Sequence, residues 1–262
     1  MATEFRGAIF DVDGVLVDSP HERAWRDALK ELMETTWKDV QPETSYSPER
    51  FTPQVYQQVM SGKPRFAGAQ AALEYFDVPD AETRSRTYGG RKQAMLTKLI
   101  EAGEFHAYPD ALRFIVAVKD VGIQVAAASS SKNADLFLRK IPLDTFAEEN
   151  GLKSEHVTPG LTLLDFFDAD ISGRDFAHGK PDPEIFLTGA KELGVPPEQC
   201  FVIEDAVTGI QAAKAGRMAA LGISRADDEE LLAAAHPDVL VTSLDDVDVE
   251  ALREGRLARK TG

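Results

Sequence analysis

Asp11 and Asp13 stand two residues apart at the end of a short apolar run, Ala8-Ile9-Phe10. Alternation along an extended chain puts both carboxylates on one side, where they repel unless a cation or a shared proton intervenes. Two further apolar runs end in polar groups. Residues 123–128 lead into Ser129-Ser130-Ser131, and Phe201-Val202-Ile203 leads into Glu204-Asp205. Carboxylate oxygens with few His or Cys nearby favour a hard cation such as Mg²⁺. Lys180, ahead of Pro181-Asp182-Pro183, adds a point charge. Carboxylates, hydroxyls, an ammonium and Mg²⁺ are poor equipment for oxidation. They suit phosphoryl transfer, in which positioning and charge neutralisation do most of the catalysis.

Such groups converge only if their strands lie side by side. The three runs, with a fourth at Val239-Leu240-Val241, suit strands buried on both faces of a parallel sheet. Helical patterns near 110–120, 183–193, 207–215 and 228–235 supply crossovers, and Gly122 and Gly194 stand where helices end. A doubly wound α/β core follows, with ligands outside the carboxyl ends of its strands. Residues 20–99 differ. Amphipathic segments at 23–33, 53–60, 67–76 and 91–100 follow one another without a strand, which predicts a separate helical module. Polar residues 35–52 read as a loop, and 142–161 as an irregular stretch.

Composition narrows the partners. Among 262 residues, 44 acidic against 29 basic give a net charge of −15. That argues against nucleic acid and anionic membranes, both of which need a basic footprint. The lone cysteine, Cys200, and the absence of a secretory pattern or membrane-length apolar run predict a cytoplasmic protein. Gly173 to Lys180 has the wrong spacing for a phosphate-binding P-loop, and no Gly-x-Ser-x-Gly elbow is present. His106, His156, His178 and His236 show no metal-ligand spacing among them.

The segment Asp11-Val12-Asp13-Gly14-Val15-Leu16-Val17-Asp18-Ser19 resembles the first motif of the haloacid dehalogenase (HAD) superfamily. Ser129, Lys180 in Gly179-Lys180-Pro181-Asp182-Pro183, and Glu204-Asp205 resemble the second, third and fourth motifs, in order. The resemblance implies a Rossmann-like α/β core from residues 1–19 and 101–262, with an inserted α-helical cap at 20–100. It implies Asp11 as the nucleophile that forms an aspartyl-phosphate, and Asp13 as general acid/base. Mg²⁺ would be held by Asp11, the backbone carbonyl of Asp13, and Asp205, with Glu204 close by. Ser129, Ser130 and Lys180 would bind the transferring phosphoryl group.

Finer resemblance is to the β-phosphoglucomutase-like subfamily. His21-Glu22-Arg23-Ala24-Trp25, Gly62-Lys63-Pro64-Arg65, Arg91-Lys92 and Ser129-Ser130-Ser131-Lys132-Asn133 are similar to that subfamily's cap and core-loop segments. The similarity implies that Arg65, Ser131 and Asn133 grip a distal phosphate, with Lys132 adding local positive charge. It implies that His21 and Lys92 couple cap closure to Asp13. A mutase releases a bisphosphate and rebinds its other end, so it needs a site for each phosphate. The expected function is interconversion of hexose 1- and 6-phosphates by a monomer acting on a small sugar phosphate. The alternatives are a phosphatase on a small phosphorylated sugar or metabolite, and a non-catalytic sugar-phosphate sensor.

Overall fold

Gly7-Ala8-Ile9-Phe10 is buried at every position, so it cannot serve as a sheet edge. It forms β1 (Gly7–Phe10) at the centre of a six-stranded sheet in the computed structural model, which describes residues 4–61 and 63–260. The other strands of this sheet are β4 (Gln124–Ala127), β5 (Ala169–Asp170), β6 (Cys200–Glu204), β7 (Ala219–Ile223) and β8 (Val239–Val241). Their order is β5-β4-β1-β6-β7-β8, and every pairing is parallel. Register brings Phe10 opposite both Ala127 and Ile203, so β1, β4 and β6 end together. A short antiparallel pair, β2 (Val17–Asp18) and β3 (His106–Ala107), lies outside this sheet.

Helices Pro109–Asp120, Glu184–Leu193 and Val207–Ala215 occupy the crossovers, and Gly194 ends the second of them in the left-handed conformation. Ile9, Ala126, Ile171, Phe186, Val202 and Ile210 share one apolar cluster. Cys200 opens β6 inside that cluster, and burial pushes its thiol up to about 12, as suits a packing residue.

The doubly wound reading holds, with two strands added. β7 carries Ala and Gly rather than a run of large apolar residues, and β5 has two residues; neither gives a strong apolar signal. Within the stretch expected to be irregular, Leu143–Glu149 is helical, and Pro142 bridges to Thr162.

The chain divides into two compact units, Met1–Ser19 with His106–Gly262, and Pro20–Phe105. The second break follows Phe105 rather than residue 100, because helix Ala81–Glu101 runs through the expected boundary. The second unit is helical, with His21–Glu34, Arg65–Tyr75 and Ala81–Glu101 as its longer elements. Trp25, Leu29, Phe76 and Tyr88 sit in its core. Ten residues before Arg91 are helical although the sequence pattern starts only there. Their buried face is Ser85, Tyr88 and Gly89, which has no apolar period to read. Among the described residues, no helix is long and apolar enough to cross a membrane.

Candidate active site

The ends of β1, β4 and β6 are neighbours, so their polar residues meet. Asp11 follows β1, and its backbone N–H donates to Ile203 O at 3.1 Å. Beyond it the chain turns back sharply, with Leu16 and Val17 N–H groups both donating to Val12 O and Gly14 N–H donating to Val17 O. Gly14 has φ +83°, and a Cβ there would lie 1.9 Å from Asp205 Oδ2. Glycine is therefore required twice over, by its backbone angle and by the carboxylate pressed against it.

Lys180 places its ammonium 2.7 Å from Asp11 Oδ1 and in hydrogen-bond contact with Glu204 Oε1. Its Nζ also lies 4.9 Å from the Phe186 ring centroid. All three polar side chains are largely withdrawn from water. Glu204 accepts the Ala206 N–H at 3.1 Å through its other oxygen. Its carboxylate fills the place of a side chain at Gly209, where a Cβ would lie 1.9 Å from Glu204 Cδ.

Charge in this cluster does not balance. Three carboxylates, Asp11, Glu204 and Asp205, surround one ammonium. Burial raises the Asp11 carboxyl to about 7 against the pull of Lys180, and Glu204 and Asp13 add to the rise. Burial, Glu204 and Asp11 likewise push Asp205 well above the usual carboxylate range. Burial would lower the Lys180 ammonium, but Asp11 and Glu204 outweigh it, and the group stays charged. Surplus buried negative charge on hard oxygen donors suits a divalent cation such as Mg²⁺.

Asp13 is partly exposed, and the Ser129 hydroxyl lies 3.4 Å from its Oδ2. Ser129 is buried after β4; its Oγ accepts the Ser131 N–H at 3.0 Å, and its own N–H donates to Ser172 Oγ at 3.3 Å. Ser130 is exposed on the same loop. Ser131 Oγ accepts the Asn133 N–H at 3.3 Å, and Asn133 is buried. Lys132 is exposed, and its ammonium lies 2.6 Å from both Gly173 O and Asp175 Oδ1.

Arg65, His21 and Lys92 belong to the helical unit. His21 opens its first helix, and its Nδ1 lies 2.8 Å from Lys92 Nζ. Lys92 is buried with its ammonium 5.0 Å from the Trp25 ring centroid, so Trp25 does more than fill the core. Arg91 turns instead to Glu31, in an exposed ion pair. Arg65 begins the helix Arg65–Tyr75. Gly62 lies outside the described residues.

Sequence reasoning singled out Asp11, Asp13, Ser129, Lys180, Glu204 and Asp205, and the fold gathers them at the carboxyl ends of the central strands β1, β4 and β6. It missed Ser172 and Gly209. Gly209 left one trace, a glycine inside a helix where alanine would be favoured by about 1 kcal/mol. Ser172 follows the unrecognised strand β5 and left none.

Residues 5–217 match the family model for haloacid dehalogenase-like hydrolases. The chain belongs to this family. A β-phosphoglucomutase of Mycobacterium bovis is 32% identical over 259 residues, covering 91% of this chain and 90% of the relative. Fructose-1-phosphate phosphatase YqaB of Escherichia coli is 28% identical over 228 residues, covering 85% and 98%. The crystal structure of an archaeal β-phosphoglucomutase from a hyperthermophilic Pyrococcus superposes with a TM-score of 0.69 at 26% identity, covering 95% of this chain and 97% of that one. The chain also matches 20% of the length of Protein SUPPRESSOR OF QUENCHING 1, chloroplastic, of Arabidopsis thaliana, at 30% identity over 253 residues. Within the haloacid dehalogenase superfamily the chain is of the β-phosphoglucomutase-like kind, and it is an enzyme, a phosphotransferase or a phosphatase.

Proposed function

We propose that this chain is a Mg²⁺-dependent sugar-phosphate mutase that interconverts hexose 1- and 6-phosphates through a bisphosphate. The observation that carries the reading is Lys180 between Asp11 and Glu204, a buried carboxylate held in place by a fixed ammonium. Asp11 Oδ attacks phosphorus at one end of the bisphosphate, and the bond from that phosphorus to the sugar oxygen breaks. Asp13 gives its proton to that oxygen, which releases a hexose monophosphate. In the return step the free hydroxyl of a hexose monophosphate attacks the aspartyl-phosphate, its proton passes to Asp13, Asp11 is freed and the bisphosphate re-forms. Ser129 and Lys180 bind the oxygens of the group in transit, and Ser130 stands beside them. Asp11, the Asp13 carbonyl and Asp205 would hold Mg²⁺, with Glu204 nearby; when bound, the ion neutralises phosphate charge. Residues 20–105 would serve as the cap, with Arg65, Ser131 and Asn133 holding the distal phosphate and the His21–Lys92 pair aligning the cap for proton transfer.

Mutase chemistry is favoured over hydrolysis by the part-buried His21–Lys92 contact at 2.8 Å and by the similarity to the mycobacterial relative. A sugar-phosphate phosphatase is the second reading, favoured by the similarity to the Escherichia coli phosphatase. The test is to incubate the chain with Mg²⁺, β-glucose 1-phosphate and catalytic β-glucose 1,6-bisphosphate. Glucose 6-phosphate and free phosphate are then followed separately. Glucose 6-phosphate is expected to form in excess of phosphate; phosphate release without isomerisation overturns the mutase reading. A sensor binds without turnover in either channel. Chelation of the metal is expected to stop both channels, and added Mg²⁺ to restore them.

A further inference from the structure

We propose that Arg225 is a positioning residue for Asp13, acting through the turn that follows β1; this rests on the acid/base role proposed for Asp13. Arg225 lies just beyond β7 and divides its guanidinium between two elements. Nη1 donates to Asp110 Oδ2 at 2.9 Å, and Nη2 donates to Val15 O at 3.2 Å. The guanidinium carbon sits 3.9 Å from the Tyr108 ring centroid. Both partners are withdrawn from water, with side-chain exposures of 14% for Arg225 and 10% for Asp110.

Asp110 is itself fixed. Its Oδ2 also accepts the Leu244 N–H at 2.8 Å and the Ser243 hydroxyl at 3.2 Å. The fork therefore has a rigid anchor on one side and the Asp13 turn on the other. That turn is held a second time by the same group of residues, because Tyr108 N–H donates to Leu16 O at 2.9 Å. Tyr108 thus grips the turn with its backbone and carries Arg225 on its ring.

A buried ion pair alone is weak stabilisation, since packed apolar residues of similar volume often do as well. Here the charge is spent on a backbone carbonyl two residues from the proton-transferring carboxylate. Proton transfer depends on placement within a fraction of an ångström. Lysine keeps the charge but has a single flexible donor atom in place of the planar fork, so it does not fix Asp110 and Val15 O in the same geometry.

The test compares two phosphate donors in the presence of Mg²⁺. β-Glucose 1-phosphate has a leaving oxygen that needs a proton; p-nitrophenyl phosphate has one that does not. Arg225→Lys is expected to slow the first turnover of the sugar phosphate about tenfold, a fraction of what a general acid contributes. The p-nitrophenolate burst and the KM should change less than about threefold. In an Asp13→Asn background the same change should add less than about threefold, since the group it positions is already disabled. Asp110→Asn, which loosens the anchor with little change of volume, should repeat the pattern more weakly, and it serves if Arg225→Lys does not fold. Equal slowing with both donors, or a full tenfold effect added to Asp13→Asn, overturns the inference and leaves a merely structural ion pair. A wild-type chain that turns over neither donor overturns the acid/base reading first, and this inference with it.

Discussion

Lys180 touches two buried carboxylates at once, so its replacement strands charge rather than deleting one contact. Lys180→Met is expected to lower stability by about 3–5 kcal/mol, the usual cost of breaking a buried pair from one side. A urea midpoint equal to wild type would show that the ammonium does not hold Asp11 and Glu204 together. Asp11→Asn keeps the shape but removes the nucleophile, and it is expected to reduce turnover roughly 10⁴-fold or more. Full activity in that variant would exclude an aspartyl-phosphate. Asp110 gives a pH dependence of known sign. Burial would raise its carboxyl, but hydrogen bonds from Arg225 and the Leu244 N–H outweigh that and hold it below the usual range. A depressed carboxyl stabilises the fold above its unfolded pKa of about 3.9 and loses that contribution as pH falls through the folded value. The stability gap between wild type and Asp110→Asn should be widest near neutral pH and close on acidification below about pH 4. A gap that widens on acidification would reverse the assignment.

At the scale of elements, helix Val207–Ala215 is shaped around a carboxylate. Gly209→Ala would gain about 1 kcal/mol of helix propensity in an open helix. Here the new methyl would meet Glu204 Cδ at 1.9 Å, so Glu204 must leave its seat against Lys180. The expected result is a net loss of roughly 1–3 kcal/mol by overpacking, with a loss of turnover larger than the stability change explains. A stabilised, fully active variant would mean that Glu204 moves freely. The elements also explain what could be read in advance. β1, β4 and β6 are apolar runs that end in charged or hydroxyl residues, so both strands and site were legible together. β7 is built from Ala and Gly around Leu221, and its burial comes from neighbours that no local pattern reveals. The start of helix Ala81–Glu101 was hidden for the same reason. Arg225, Asp110 and Val15 are far apart in sequence, and only the sheet order brings them together. The contact of Lys132 with Asp175 was not legible, because Asp175 lies in a stretch without regular structure.

At the scale of the whole chain, a net charge of −15 is compatible with the proposed sugar-phosphate substrate because the positive groups proposed to meet it are local. The two units each have an apolar cluster of their own, and the chain passes between them twice, at Ser19–Pro20 and at Phe105–His106. The sequence contains two tryptophans, and both Trp25 and Trp37 lie in the cluster of the helical unit. Intrinsic fluorescence excited at tryptophan is therefore an optical label on Pro20–Phe105 alone, placed there without engineering. Two units with separate cores are expected to lose structure at different denaturant concentrations, so fluorescence and far-ultraviolet circular dichroism should give unfolding curves that do not coincide. Superimposable curves would show one cooperative unit. The Lys92 ammonium lies 5.0 Å from the Trp25 ring centroid and 2.8 Å from His21 Nδ1. If the proposed cap role of the His21–Lys92 pair is right, Trp25 emission is expected to shift on titration with sugar phosphate, and an unchanged spectrum at saturation would count against that role.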